Sequence, residues 1–324
     1  MLVLLDQTRL PHEEVEAVCT DVQALVAAIR SLAVRGAPLL GIAGAYGVAL
    51  AAARGYDVEE AADLLAYARP TAVNLAYGVR RAADAYRRAA PQEAAAAALA
   101  EARALHAEDA AASTAMAAHG ERLLAELVPG GGYRLLTHCN TGALVSGGQG
   151  TALGVVLAVH QAGELRRLWV DETRPLLQGA RLTAYEAARA GMPYTLLADN
   201  AAGSLFTAGE VDAVLIGADR IAADGSTANK VGSYPLAVLA HHHGVPFVVV
   251  APTTTVDLAT PDGAAIEVEQ RPSAEVTDLA PSPLGTQAYN PAFDVTPPEL
   301  ITAIVTENGV VSPVTAERLA AVCR

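Results

Sequence analysis

Lysine is nearly absent from this sequence. Lys230 is the only one among 324 residues, and the other 21 of the 22 basic side chains are arginine. The net charge of −13, with no basic run and no interleaving of basic and aromatic residues, excludes a footprint for a phosphate backbone. Nucleic acid is not an expected partner. The three cysteines, Cys19, Cys139 and Cys323, are too scattered for a disulfide framework or a paired metal site, so a reducing cytoplasm is expected. Long hydrophobic runs are missing too. The longest uncharged stretch, residues 36–53, falls short of the roughly 20 apolar residues of a span and contains Pro38 and several glycines, which predicts a buried helix. MLVLLDQTRLPHEE has no basic leader and its apolar run stops at Asp6, so it does not read as a secretory signal. Phosphate-loop and dinucleotide fingerprints are absent, since GGQGTALG lacks the spacing, and no nucleotide cofactor is indicated. HHHG at residues 241–244 is no metal site, because adjacent helical side chains point about 100° apart. No metal and no cofactor are expected.

What is present suits a two-domain globular chain, 52% hydrophobic and 18% charged. Residues 13–128 carry apolar positions at helical spacing, through EAVCTDVQALVAAIRSL, LLGIAGAYGVALAAA, VNLAYGVRRAADAYRRAA and a long alanine-rich segment opened by Pro91. VPGGGY, at 128–133, marks the expected boundary between a mainly helical domain, 1–128, and a second domain, 129–324. There, short apolar runs (RLLTHC, LRRLWVDE, YTLLADN, VDAVLIGAD, PFVVVAP) alternate with helical stretches. That alternation predicts an α/β fold with a mostly parallel, doubly wound, Rossmann-like sheet. Such sheets bind ligands beyond the carboxyl ends of their strands, where this chain writes THCNTG, DETRP, ADNAAG, GADRIAADG and APTTT.

Individual residues stand out at those ends. VRGAP sets Arg35 on a turn just before a helix, where backbone amides and a guanidinium would hold a phosphate or a sugar hydroxyl, and a surface arginine among turn residues is the plain alternative. ARPTAVNL repeats the arrangement with Arg69. Cys139 ends a strand among the polar residues His138, Asn140 and Thr141, whereas most lone cysteines are small core hydrophobes. Asp219 follows an apolar strand, where a raised pKa would suit a general acid and a turn cap is the plain alternative. Asn229 and Lys230 come ten residues later, and one ammonium kept in an arginine-rich chain suggests a need for a compact point charge, with chance survival of one lysine as the plain alternative.

Together LDQTRLP, VRGAP, RPTAVNL, LTHCNTGAL, ETRPLLQGARLTA, GADRIAADG, ANKVGSYPLA and NPAFDVTPPELITAIVTENG resemble the methylthioribose-1-phosphate isomerase family, related to regulatory subunits of translation initiation factor 2B. The resemblance runs from about residue 4 to 311. It implies a cofactor-free, metal-free homodimer of the methionine salvage pathway, with a helical N-terminal and a Rossmann-like C-terminal domain. It also implies that Cys139 and Asp219 are catalytic and that Arg35, Gly36, Ala37, Arg69, Gln178, Asn229 and Lys230 contact the sugar phosphate. Asp219 would open the ring as an acid. Cys139 would act as a thiolate base in an enediol route or stabilise charge during a hydride shift. Three departures are visible. The strand that usually precedes LDQT is expected to be missing, Ala201 replaces the usual methionine of the ADNAAG segment, and SGGQ stands ahead of GTALG. Ala201 keeps open a related substrate, such as ribose 1,5-bisphosphate or a deoxyribose or 5-deoxyribose 1-phosphate. The more distant rival is a non-catalytic regulatory subunit.

Overall fold

The computed structural model describes residues 1–69, 71–279 and 282–324. The chain divides into two compact units, Met1–Ser113 with Ala143–Gly150, and Thr114–Gly142 with Thr151–Arg324.

The first unit opens with a hairpin of β1 (Leu2–Leu5) and β2 (Glu16–Cys19), in register from Leu2 against Cys19 to Leu5 against Glu16. This corrects two expectations. A strand does precede LDQT, and residues 16–19 are not helical. Glu16 and Val18 face out while Cys19 is buried, a period of two that suits a strand covering one side. The helical period starts only after Asp21, whose carboxylate caps α1 (Val22–Arg30) by accepting from the Ala24 amide at 2.8 Å. The remaining helices are α2 (Ala37–Arg54), α3 (Val58–Ala66), α4 (Val73–Arg88) and α5 (Ala94–Leu127). The α2 helix is the buried helix expected of the uncharged stretch. It is long and apolar enough to cross a membrane by composition, but it lies mostly inside this unit. It crosses α4 at a glycine pair: a Cβ on Gly78 would sit 2.0 Å from the Gly41 carbonyl oxygen. The α4 helix starts at Val73, later than the Arg-Pro pair suggested, and Pro70 lies outside the described residues.

The α5 helix is one continuous element, and the division between units falls inside it rather than at the expected boundary of 128 and 129, which coincides with its end. Hydrogen bonding explains the split. Asp109 accepts from the Ser146 hydroxyl and the Gly147 amide, which ties residues 143–150 to the first unit. Farther along, His119 meets the Thr306 carbonyl at 2.9 Å within the second.

The second unit contains every strand expected from the apolar runs: β3 (Tyr133–Thr137), β4 (Leu165–Asp171), β5 (Tyr194–Leu197), β6 (Ala213–Ile216) and, after β7 (Arg220–Ala222) and β8 (Thr227–Lys230), β9 (Phe247–Val250). The chain continues through β10 (Val256–Asp257), β11 (Phe293–Thr296), β12 (Ala303–Thr306) and β13 (Gly309–Val311). The main sheet has seven strands in the order β13-β12-β9-β6-β3-β4-β5, parallel except for β13. Winding leaves β3 toward β4 and β5, then reverses to β6 on the other side of β3. The crevice outside the carboxyl ends of β3 and β6 is therefore the topological switch point. Helices α6 (Ala152–Gln161), α7 (Ala184–Arg189), α8 (Ala202–Thr207) and α9 (Ser233–His243) link the strands. Leu136, Val214, Ile216, Phe247, Val249 and Ile304 form the core with residues of α8 and α9. A second sheet, β10-β7-β8-β11, follows β6 directly.

Candidate active site

Two expected catalytic residues leave the sheet side by side. Thr137, the last residue of β3, pairs with Leu215 of β6, so Cys139 and Asp219 each follow the end of one of two neighbouring strands at the switch point. Asp219 is half-buried, and its amide donates to the Ala228 carbonyl at 2.9 Å, which fixes it at the base of the β7–β8 hairpin. Asn229 and Lys230 end the other arm of that hairpin and are buried. Asn229 donates to the Ser233 hydroxyl at 2.8 Å. The Lys230 ammonium donates to the Ala292 carbonyl at 2.9 Å and lies 5.4 Å from the centre of the Phe293 ring. Lys230 thus holds β8 to the start of β11 whatever else it does. Gln178 follows β4, opens a wide π turn at Gly179–Thr183, and is 4% exposed with no partner for its Oε1 among the described residues. A buried carbonyl oxygen without a donor costs about 1–3 kcal/mol unless a ligand or water supplies one.

Cys139 is buried and has a φ of 63°, uncommon for a residue with a side chain. Its backbone cannot continue the strand. The Cys139 amide donates to the Thr173 hydroxyl at 2.8 Å, and the Thr183 hydroxyl donates to the Cys139 carbonyl at 2.6 Å. Asn140 donates to Glu186 at 2.6 Å.

Behind the cysteine lies a couple that sequence reading did not assign. His138 and Asp171, each 1% exposed, meet at 2.9 Å between Nδ1 and Oδ2, and His138 Nε2 lies 2.9 Å from the Val231 carbonyl. A carbonyl oxygen only accepts, so Nε2 carries a proton and Nδ1 faces the carboxylate. Burial by itself pushes the His138 pKa down, yet the hydrogen bond and charge of Asp171, aided by the Val231 carbonyl, hold it above the usual histidine value. Burial also pushes Asp171 up, against the pull of His138. Both directions mean that the couple keeps its shared proton to higher pH than either group would in water. Asp199 completes the cluster by accepting from the Thr173 and Arg174 amides, both at 2.7 Å. His138, Asp171 and Asp199 offer ligand atoms within 4.8 Å of one another. Neither imidazole nitrogen has a free lone pair, however, so the set reads as a hydrogen-bonded cluster and not as a metal cage. Their one visible signal in sequence is position, since each follows or ends a neighbouring parallel strand: THC, VDE, ADN.

The other expected contacts belong to the first unit. Gly36 caps α2 with a φ of 92°, and a Cβ there would lie 2.2 Å from that of Val145, so only glycine fits. Ala37 is the first residue of α2 and is buried, as VRGAP led one to expect. Arg35 and Arg69 are half-buried. The histidines of HHHG end α9 before Gly244.

The sequence profile of the Initiation factor 2 subunit family matches residues 33–313. The chain is 54% identical to the methylthioribose-1-phosphate isomerase of Anaeromyxobacter dehalogenans over 98% of its own length and 93% of that protein. It is 48% identical to the enzyme of the same name from Pelotomaculum thermopropionicum, over 98% of this chain and 90% of the relative. The crystal structure of 5-methylthioribose 1-phosphate isomerase from Pyrococcus horikoshii superposes with a TM-score of 0.89 at 38% identity, covering 99% of this chain and 92% of the other. That of the translation initiation factor eIF-2B, subunit delta, from A. fulgidus superposes at 0.84 with 40% identity, covering 99% and 96%. With such identity sustained over nearly its whole length, this chain belongs to the methylthioribose-1-phosphate isomerase family, within the wider Initiation factor 2 subunit family.

Proposed function

We propose that this chain is an aldose–ketose isomerase that converts 5-methylthioribose 1-phosphate into 5-methylthioribulose 1-phosphate in methionine salvage. The observation that carries the reading is the emergence of Cys139 and Asp219 from adjacent parallel strands at the point where the winding reverses. The substrate's first carbon is bound to both the ring oxygen and the phosphate, so no free aldehyde exists and the ring must open. Asp219 donates a proton to the ring oxygen as its bond to the first carbon breaks. Hydrogen then moves from the second carbon to the first while the hydroxyl on the second gives up its proton to become the ketone. No external oxidant or reductant enters.

In this reading the substrate contacts of the first unit are Arg35, the backbone at Gly36 and Ala37, and Arg69, and those of the second are Gln178, Asn229 and Lys230. The unpartnered Gln178 oxygen supports a ligand donor at that position. Cys139 serves at the second carbon. Turnover in deuterated water separates its two roles, because an enediol route brings solvent deuterium to the first carbon and a hydride shift does not. The enzyme works as a cytoplasmic homodimer on a free small molecule, and light scattering on the purified protein tests the dimer.

Purified protein incubated with methylthioribose 1-phosphate and followed by phosphorus and carbon NMR tests the function. A ketose signal at the second carbon is expected. An unchanged spectrum would favour the regulatory-subunit reading to which the eIF-2B neighbour points. Faster conversion of ribose 1,5-bisphosphate or 5-deoxyribose 1-phosphate would transfer the assignment to that sugar.

A further inference from the structure

We propose that Thr173 and Thr183 are positioning residues for the isomerisation: their hydroxyls hold Cys139 in its left-handed backbone conformation and so aim its sulfur. The inference rests on the isomerase reading above. A strand that ends in a left-handed residue turns sharply, and its side chain is thrown off the end of the sheet, as nucleophiles on strand-to-helix elbows are. Nothing in the sheet can hold such a residue, because its amide and carbonyl point away from the ladder. Both groups are buried here and need partners.

Two hydroxyls supply them, with opposite polarity. The Thr173 hydroxyl accepts from the Cys139 amide at 2.8 Å and sends its own hydrogen to the Asp171 carbonyl at 3.1 Å. The Thr183 hydroxyl donates to the Cys139 carbonyl at 2.6 Å and accepts from Asn140 at 3.3 Å. Each hydroxyl hydrogen is thereby committed, so neither group can rotate to release the cysteine. Both threonines are 0% exposed, which leaves no water to substitute for them.

The clamp is itself braced. Thr173 has a φ of 65°, an outlier for a β-branched residue, and Asp199 holds it there by accepting its amide at 2.7 Å. Gly179 permits the close approach, since a Cβ there would fall 1.7 Å from the Asp171 carbonyl oxygen and 2.8 Å from the Thr173 hydroxyl. Thr183 is the last residue of the π turn, an irregularity that recurs at functional sites. Three consecutive strand ends, after β3, β4 and β5, thus contribute to the placement of one sulfur.

The test compares valine, which keeps the shape and removes the hydroxyl, with serine, which keeps the hydroxyl. Thr173→Val and Thr183→Val are each expected to lower kcat by about 10- to 100-fold, the scale of a misplacement near 1 Å, with KM within about threefold of wild type. Thr173→Ser and Thr183→Ser should stay within about threefold in both. Carbon NMR of labelled cysteine should show the Cys139 α- and β-carbon shifts moving toward extended values in the valine variants only. Should Thr173→Val not fold, Thr183→Val and its serine partner decide alone. Valine variants that fold and retain kcat within twofold of wild type would overturn the proposal, as would serine variants as slow as the valine ones. A wild-type protein that leaves methylthioribose 1-phosphate untouched would instead sink the isomerase reading, and with it the positioning role in that reaction.

Discussion

Removing His138 should cost far more than replacing its partner. His138 and Asp171 are each 1% exposed and share one proton across 2.9 Å, while Oδ1 of Asp171 has no donor among the described residues. In Asp171→Asn, the new amide can donate to Nδ1 of a neutral imidazole whose Nε2 proton stays on Val231. Only charge assistance is lost, about 1 kcal/mol. In Asp171→Leu, Nδ1 is left buried without a partner, at about 1–3 kcal/mol. In His138→Leu, a buried carboxylate loses its one charged partner, which costs about 3–5 kcal/mol. For a unit of this size each kcal/mol moves the melting midpoint by roughly 2–4 °C, so His138→Leu should melt roughly 6–20 °C below wild type. The pH dependence has a definite sign. His138 is held above its usual value, so its contribution is complete below about pH 6.5 and is lost as pH rises through the folded value. The raised Asp171 value acts in the same direction from about pH 3.8 upward. The other charged groups near the couple, Asp199, Glu172 and Asp294, are acidic and favour retention of the proton. The gap between wild type and Asp171→Asn should therefore narrow from pH 6 to pH 9. Thermal melts of the four proteins across that range provide the check. A His138→Leu protein within about 1 kcal/mol of wild type, or parallel curves for wild type and Asp171→Asn, would refute the reasoning.

Other outcomes follow from the same geometry. If the proposed roles hold, Asp219→Asn and Cys139→Ser should fold normally and lose about 10²–10⁴-fold in kcat, since an amide has no acidic proton to give and a hydroxyl does not replace the sulfur; near-wild-type progress curves would remove both from the chemistry. Lys230→Arg should lose activity and about 1–3 kcal/mol of stability, because a planar guanidinium does not fit between the Ala292 carbonyl and the Phe293 ring; denaturant titration alongside kinetics measures the two effects separately. Gly78→Ala adds a methyl 2.0 Å from a backbone oxygen that cannot rotate away, so overpacking of about 1–3 kcal/mol should outweigh the helix-propensity gain of about 1 kcal/mol, read as a lower urea midpoint. Extensive chelation should leave turnover intact, and activity restored by zinc or magnesium after its loss would show that a metal is required.

The second unit was readable because its signals are local. Runs such as VDAVLIGA and PFVVVAP are apolar throughout, as strands covered on both faces are, and glycine and polar residues mark their ends. The position of Cys139 and Asp219 just past such runs was legible for the same reason. The hairpin residue Cys19 was misread because EAVCTDVQALV offers apolar residues at both periods, and only the Asp21 cap decides where the helix begins. The His138–Asp171 couple and the Thr173 and Thr183 clamp lie 33, 34 and 44 residues apart in sequence, and strand adjacency alone brings them together. Gly41 and Gly78 look like ordinary helix-weakening residues until two backbones are seen to cross there.

The placement of the two candidate residues after β3 and β6 has a consequence for how the protein is made. The Thr137 hydroxyl reaches the Leu215 carbonyl across a separation of 78 residues, so this pairing cannot form until β6 has been synthesised. At about 5–20 residues per second, the ribosome needs roughly 4–16 s to pass from Cys139 to Asp219. Throughout that interval the thiol exists without β6 beside its own strand and without Asp219, so the arrangement proposed for isomerisation is assembled only late in synthesis.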